Sequence, residues 1–181
     1  MRYAIIPARG ASRRIPRKNI KDFHGKPIIA YSIIAAQRSD LFDKVFVSTE
    51  DKEISEVANE YGAIHIGRPA HLAVDEVGTQ EVVKMALKSL RETPDFLCCI
   101  YATCPMLTPH DLKDSFALLK RAYVYTPGWF YWGRADWFLN GKPLSQGVEY
   151  SVGERHIDIN TEKDFSLAEE MYSKIHQKEA A

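Results

Sequence analysis

Two hydrophobic periods take turns along this chain. Short apolar runs at 3–7, 44–48, 63–66 and 96–101 have strand length and composition. Between and after them, apolar residues recur every three or four positions at 27–38, 51–61, 79–90, 109–121 and 161–178, which predicts helices. The helix ends carry matching signals. Pro27 suits a first turn, Thr108 with Asp111 and Thr161 with Asp164 resemble capping boxes, and Gly62 is a helix stop. Strand and helix in alternation predict an α/β fold, an open, mostly parallel, doubly wound sheet in three layers. Ligands in such sheets bind beyond the carboxyl ends of the strands, so the loops after Pro7, Ser48, Ile66 and Tyr101 share one rim.

Residues 122–150 break the rhythm. Tyr123, Tyr125, Trp129, Phe130, Tyr131, Trp132, Trp137 and Phe138 crowd together, with a turn signal at Pro127-Gly128. Aromatic residues of this kind stack on single-stranded nucleic acid when lysines are interleaved, and here they are not. The expectation is packing against the sheet or a partner subunit, with exposed aromatics at 129–138 able to support self-association.

Composition narrows the class. At 181 residues, 45% hydrophobic and 27% charged, the chain suits one globular domain spanning 1–181. Its 24 Lys+Arg balance 24 Asp+Glu, which argues against general nucleic-acid binding. No apolar run approaches the roughly 18 residues of a membrane span. The apolar stretch at 3–7 is too short for a signal-peptide core, so a cytoplasmic location is expected. Adjacent Cys98 and Cys99 point to opposite faces of a strand and make no metal site, and Cys104 reads as a buried small residue. The six histidines show no zinc-binding spacing.

The densest chemistry follows the first strand. Arg9, Gly10, Ser12, Arg13, Arg14, Arg17, Lys18 and Asn19 make a cation-rich loop that leaves a strand expected to be buried. Backbone N–H groups near Gly10, the Ser12 hydroxyl and the positive charges can together hold a phosphate chain. The Walker spacing is absent.

This loop, within IPARGASRRIPRKNIKDFHGKPIIAYSI, resembles the opening of the cytidylyltransferases that activate acidic nine-carbon sugars, the sialic, pseudaminic and legionaminic acid types. RPAHLAVDEVGTQEVV, CCIYATCPML and HIDINTEKDFSLAEE resemble that family's base-recognition, central-strand and carboxylate segments, and FYWGRADWFLNGKPL is most similar to the pseudaminic branch. The resemblance implies a Rossmann-like nucleotidyltransferase fold and transfer of CMP from CTP to the anomeric hydroxyl of an acidic nonulosonate, with release of pyrophosphate. It implies catalytic roles for Arg9 and Lys18, and nucleotide contacts from Ala8, Gly10, Ser12, Asn19, Arg68, Asp75 and Thr79. It also implies sugar contacts from Tyr101 and Thr103, and Mg²⁺ held by Asp158 and Asn160. The family has an aspartate where Asn160 stands, so weaker metal binding is expected. It also carries a much longer stretch between Arg121 and Phe130, including an arm exchanged in its dimers, so the usual dimer and part of the sugar pocket are expected to be missing. A non-catalytic or weakly active CTP- or CMP-binding homologue that lacks a complete sugar pocket is the alternative from another functional class.

Overall fold

The computed structural model describes residues 1–74 and 77–179. Its centre is strand β1 (Arg2–Pro7), whose four middle residues are buried. A small hairpin of β2 (Asp22–Phe23) and β3 (Lys26–Pro27) leads into helix α1 (Ile28–Arg38). Then come β4 (Lys44–Thr49), α2 (Lys52–Glu60), β5 (Ile64–Gly67), α3 (Thr79–Ser89), β6 (Phe96–Ile100) and α4 (Pro109–Ala117). The remainder is β7 (Val124–Thr126), β8 (Phe130–Arg134), α5 (Ala135–Leu139), β9 (Val148–Glu149) and α6 (Glu162–Glu179).

The main sheet has seven strands in the order β5-β4-β1-β6-β8-β7-β9. The expected parallel set is present, with β1 between β4 and β6 and β5 outside β4. Strand β8 lies antiparallel to both β6 and β7, while β9 is parallel to β7, so one strand of seven is reversed. The alternation of β1 divides the core between two faces. Ala4 and Ile6 join Ile29 and Ile33 of α1, Ile54 of α2, Leu112 of α4 and Phe165 of α6. Tyr3 and Ile5 pack instead with Val83 and Leu87 of α3 and Phe138 of α5. Three layers result, as a period-two strand with two apolar faces requires.

The helix signals hold with small shifts. Thr108 and Asp111 form a reciprocal capping box on α4, and Thr161 and Asp164 exchange the equivalent bonds before α6. Pro27 stands at the N-cap of α1 rather than within its first turn. Helix α4 ends at Ala117, earlier than the periodicity suggested, because the following residues turn toward β7.

The largest departure is at 122–150. The aromatic cluster packs within and against the far half of the sheet, as expected, but does not form the exposed surface also expected of 129–138: Trp129, Phe130, Tyr131 and Trp132 are at most 1% exposed and Phe138 is 2%. Phe130 and Trp132 face the α1 side while Tyr131 faces the α3 side, the two-sided alternation of a buried strand. No helix among the described residues is long and apolar enough to cross a membrane.

Candidate functional site

The carboxyl ends of β1 and β6 open into a cleft of about 530 Å³. The basic loop forms one wall, through Arg9, Ser12, Arg13, Arg14, Lys18 and Asn19. Arg68 and Thr79 contribute the opposite wall, Tyr101 and Thr103 the end of the central strand, and Asn160 a corner. Residues separated widely in sequence therefore meet at the carboxyl-end rim expected from the alternation of strands and helices. Arg9, Arg13, Arg14, Lys18 and Arg68 line the cleft, and among the described residues no carboxylate does.

The loop is held from beneath. The buried Ala8 N–H donates to Ser48 O at 3.0 Å, continuing the sheet beyond β1. Asn19 is also buried, and its Nδ2 donates to Arg9 O at 2.9 Å, which fixes the backbone behind the Arg9 side chain. Gly10 passes against Asp51, where a Cβ would lie 2.9 Å from the Asp51 Cβ and closer still to its carboxylate. The Gly10 N–H donates to Glu50 Oε1 at 2.7 Å and is thus directed at the β4 loop, not into the cleft. Arg17 also turns away. Its guanidinium binds Asp51 at 2.5 and 3.0 Å and Glu53 at 2.5 Å, and that hydrogen bonding holds the Asp51 carboxyl down at about 2.

Lys18 connects the loop to the carboxylate segment. Its Nζ donates to Ile159 O at 2.7 Å. Burial lowers its pKa, and the field of Asp158 opposes that shift. Ile157 and Ile159 are buried while Asp158 is exposed and Asn160 half-buried, so the two polar residues share the outer face as alternation requires. Asn160 Oδ1 accepts from Arg14 at 3.1 Å. Asp158 packs over Gly128 outside the lining of the cleft, near enough to influence Lys18 electrostatically. No group of three His, Cys, Asp or Glu side chains among the described residues is placed to hold a metal ion. One carboxylate and one amide oxygen match a hard cation that keeps several waters and takes its other ligands from substrate phosphates.

Arg68 is 9% exposed, donates to Leu72 O, and has a buried Nε without a partner. Desolvation lowers its pKa. A buried guanidinium with an unused donor is suited to an incoming acceptor. Tyr101 is held through Ser32 Oγ, which donates to its carbonyl at 2.8 Å, and burial pushes its phenol up to about 12. Asp75 lies outside the described residues. Cys104 is fully buried, its thiol pushed well up by burial, with Sγ 3.4 Å from Trp129 O, and nucleophilic chemistry is excluded by that environment.

Sequence reasoning missed the apolar wall of Val74, Val77 and Val82. It also missed the support from the 127–129 turn. Tyr101 N–H donates to Trp129 O at 2.7 Å and Trp129 Nε1 donates to Ile157 O at 2.8 Å, tying two site segments to one tryptophan. The dense aromatic run was the available signal, but it points to burial and not to which loops are joined.

A family described as cytidylyltransferase matches residues 3–150. Over 116 residues the chain is 48% identical to the pseudaminic acid cytidylyltransferase of Campylobacter jejuni, a match covering 62% of this chain and 50% of that protein. It is 39% identical over 122 residues to the N-acylneuraminate cytidylyltransferase of Escherichia coli, covering 67% and 27% respectively. The chain thus spans half or less of the length of these relatives. In fold it is similar to a CMP:2-keto-3-deoxy-manno-octonic acid synthetase solved in complex with CTP. The TM-score is 0.78 at 15% identity, covering 96% of this chain and 98% of that one.

Proposed function

The chain belongs to the cytidylyltransferase family, and from that premise we propose that it transfers CMP from CTP to the anomeric hydroxyl of an acidic nine-carbon sugar of the pseudaminic or sialic type. The observation that carries this reading is the charge of the cleft, five cationic side chains with no carboxylate among its described lining residues. A triphosphate is the ligand such a lining favours, and Arg68 beside Thr79 provides donors for a nucleoside next to it. The similarity to the Campylobacter jejuni protein supports the pseudaminic type of sugar.

In this reaction the sugar hydroxyl gives up its proton to solvent and its oxygen forms a bond to the α-phosphorus of CTP, while the bond to the bridging oxygen of pyrophosphate breaks. Negative charge spreads over the phosphoryl oxygens and onto the leaving group. Arg9 and Lys18 stabilise that charge from fixed positions, Arg9 with its backbone anchored by Asn19 and Lys18 by Ile159 O. Ser12 and Asn19 orient the phosphate chain and loop, while Tyr101 and Thr103 face the sugar at the end of β6. Asp158 and Asn160 would hold Mg²⁺, which when bound neutralises phosphate charge.

The test is CTP-dependent pyrophosphate release with Mg²⁺ and a panel of acidic sugars. Release that requires a nonulosonate, and that falls about 10²–10³-fold in Arg9→Ala, is the expected result. Stabilisation of the fold by CTP with no release under any sugar would assign the chain to nucleotide binding without turnover.

A further inference from the structure

Behind the cleft lies a line of three hydroxyls. Tyr131 is 1% exposed and belongs to the buried β8, so it touches no ligand directly. Its hydroxyl donates to Thr79 Oγ1 at 3.2 Å. Thr79 Oγ1 in turn lies 3.3 Å from the Tyr101 hydroxyl. Thr79 and Tyr101 both line the cleft. The rings of Tyr101 and Tyr131 also meet edge to face, with centroids 6.5 Å apart.

The direction of the Tyr131 proton follows from burial. A phenol removed from water must use its proton, and the best acceptor beside Tyr131 is the Thr79 oxygen. The Cys99 thiol also borders this phenol, but sulfur is the weaker acceptor. Burial keeps Tyr131 neutral, so its proton is not given up. With one acceptor site of Thr79 occupied from behind, the Thr79 proton is left for Tyr101 or for the cleft. The bond from Tyr131 takes one lone pair of Thr79 and holds its hydroxyl in place, and within the Thr79–Tyr101 pair either hydroxyl can donate to the other.

We propose that Tyr131 is a positioning residue that holds the Thr79 hydroxyl, itself bonded to Tyr101, in place at the wall of the cleft that receives the pyrimidine nucleotide. The inference rests on the CTP reading above and assigns a part in it to a residue that does not reach the substrate. Without the Tyr131 hydroxyl, Thr79 Oγ1 loses the bond that holds it from behind, and the Thr79–Tyr101 pair is no longer fixed in one arrangement toward the ligand.

Tyr131→Phe removes one oxygen and keeps the ring that packs on Tyr123 and Phe138. Calorimetric titration with CTP and Mg²⁺ is run on the full chain, Tyr131→Phe, Thr79→Val and the double variant, with kcat and KM from pyrophosphate release. Tyr131→Phe is expected to weaken CTP binding and raise its KM about 5–10-fold with kcat within about twofold, and to add less than about twofold once Thr79 is Val. Unchanged affinity in Tyr131→Phe overturns the proposal, as does the same loss in both backgrounds, since the tyrosine would then act through packing alone. Absence of CTP binding by the unaltered chain would overturn the functional reading itself. Binding by that chain, together with indifference to Tyr131→Phe, overturns only the hydroxyl line.

Discussion

Asn160 shows how one side chain serves two demands. Its oxygen accepts from Arg14 while the residue sits beside the Lys18 anchor at Ile159. A carboxylate there would pair with Arg14 and add charge facing the phosphates. Asn160→Asp is therefore expected to lower the Mg²⁺ concentration for half-maximal turnover several-fold, measured from pyrophosphate release in a magnesium titration. An unchanged midpoint would remove Asn160 from the metal's surroundings. The basic loop also separates residues that composition treats alike. Arg17 has a charge equal to that of Arg9, but Asp51 and Glu53 claim it, and it braces the loop from outside the cleft. Sequence identifies the cations, but only geometry distinguishes those that face the cleft from those that hold the loop.

Among the elements, the turn between β7 and β8 carries more of the site than its length suggests. Trp129 bonds both the 101 loop and Ile157, and His156 Nε2 lies 2.7 Å from Pro127 O. Gly128 adopts φ +68°, and a Cβ there would come within 2.6 Å of Asp158 Cγ. Glycine is thus required both by backbone conformation and by the close approach of the exposed carboxylate. Gly128→Ala should destabilise the protein by about 2 kcal/mol and displace Asp158, raising the Mg²⁺ requirement. Thermal melts and the same magnesium titration measure the two effects. A variant with wild-type behaviour in both would show that this contact is easily relieved.

Across the whole molecule, stability in acid follows the carboxylates held by cations and N–H groups. Asp51 titrates at about 2 in the folded state, below its ordinary value, so the unfolded chain binds the proton more readily. Its contribution is complete above the ordinary carboxylate range and is lost as pH falls through about 2. Hydrogen bonds from Arg155 and Thr108 outweigh burial and depress Asp111 in the same direction. Asp51→Asn keeps a side-chain oxygen for capping α2 but removes the charge facing Arg17. Denaturant unfolding should show a loss of about 1 kcal/mol near neutral pH, with the gap from wild type closing toward pH 2. A constant gap would mean that the carboxylate charge contributes nothing.

The parallel half of the sheet was readable because its strands are short apolar runs bounded by helices with clear caps. The rim position of the site followed from that topology. Strands β7 to β9 were not readable in the same way, since eight aromatics near Pro127-Gly128 suit several environments. Tyr131 and Trp132 take opposite faces of β8, an alternation that two adjacent aromatics do not reveal in sequence. The Tyr131–Thr79–Tyr101 line had no sequence signal, because it depends on β8 crossing back beside β6.

The most direct measurement is the structure of the protein with CTP and Mg²⁺ bound. The account predicts phosphate oxygens within hydrogen-bond reach of Arg9, Ser12 and Lys18, with the pyrimidine toward Arg68 and Thr79. A nucleotide found in any other part of the molecule, leaving those side chains without a ligand, would contradict it.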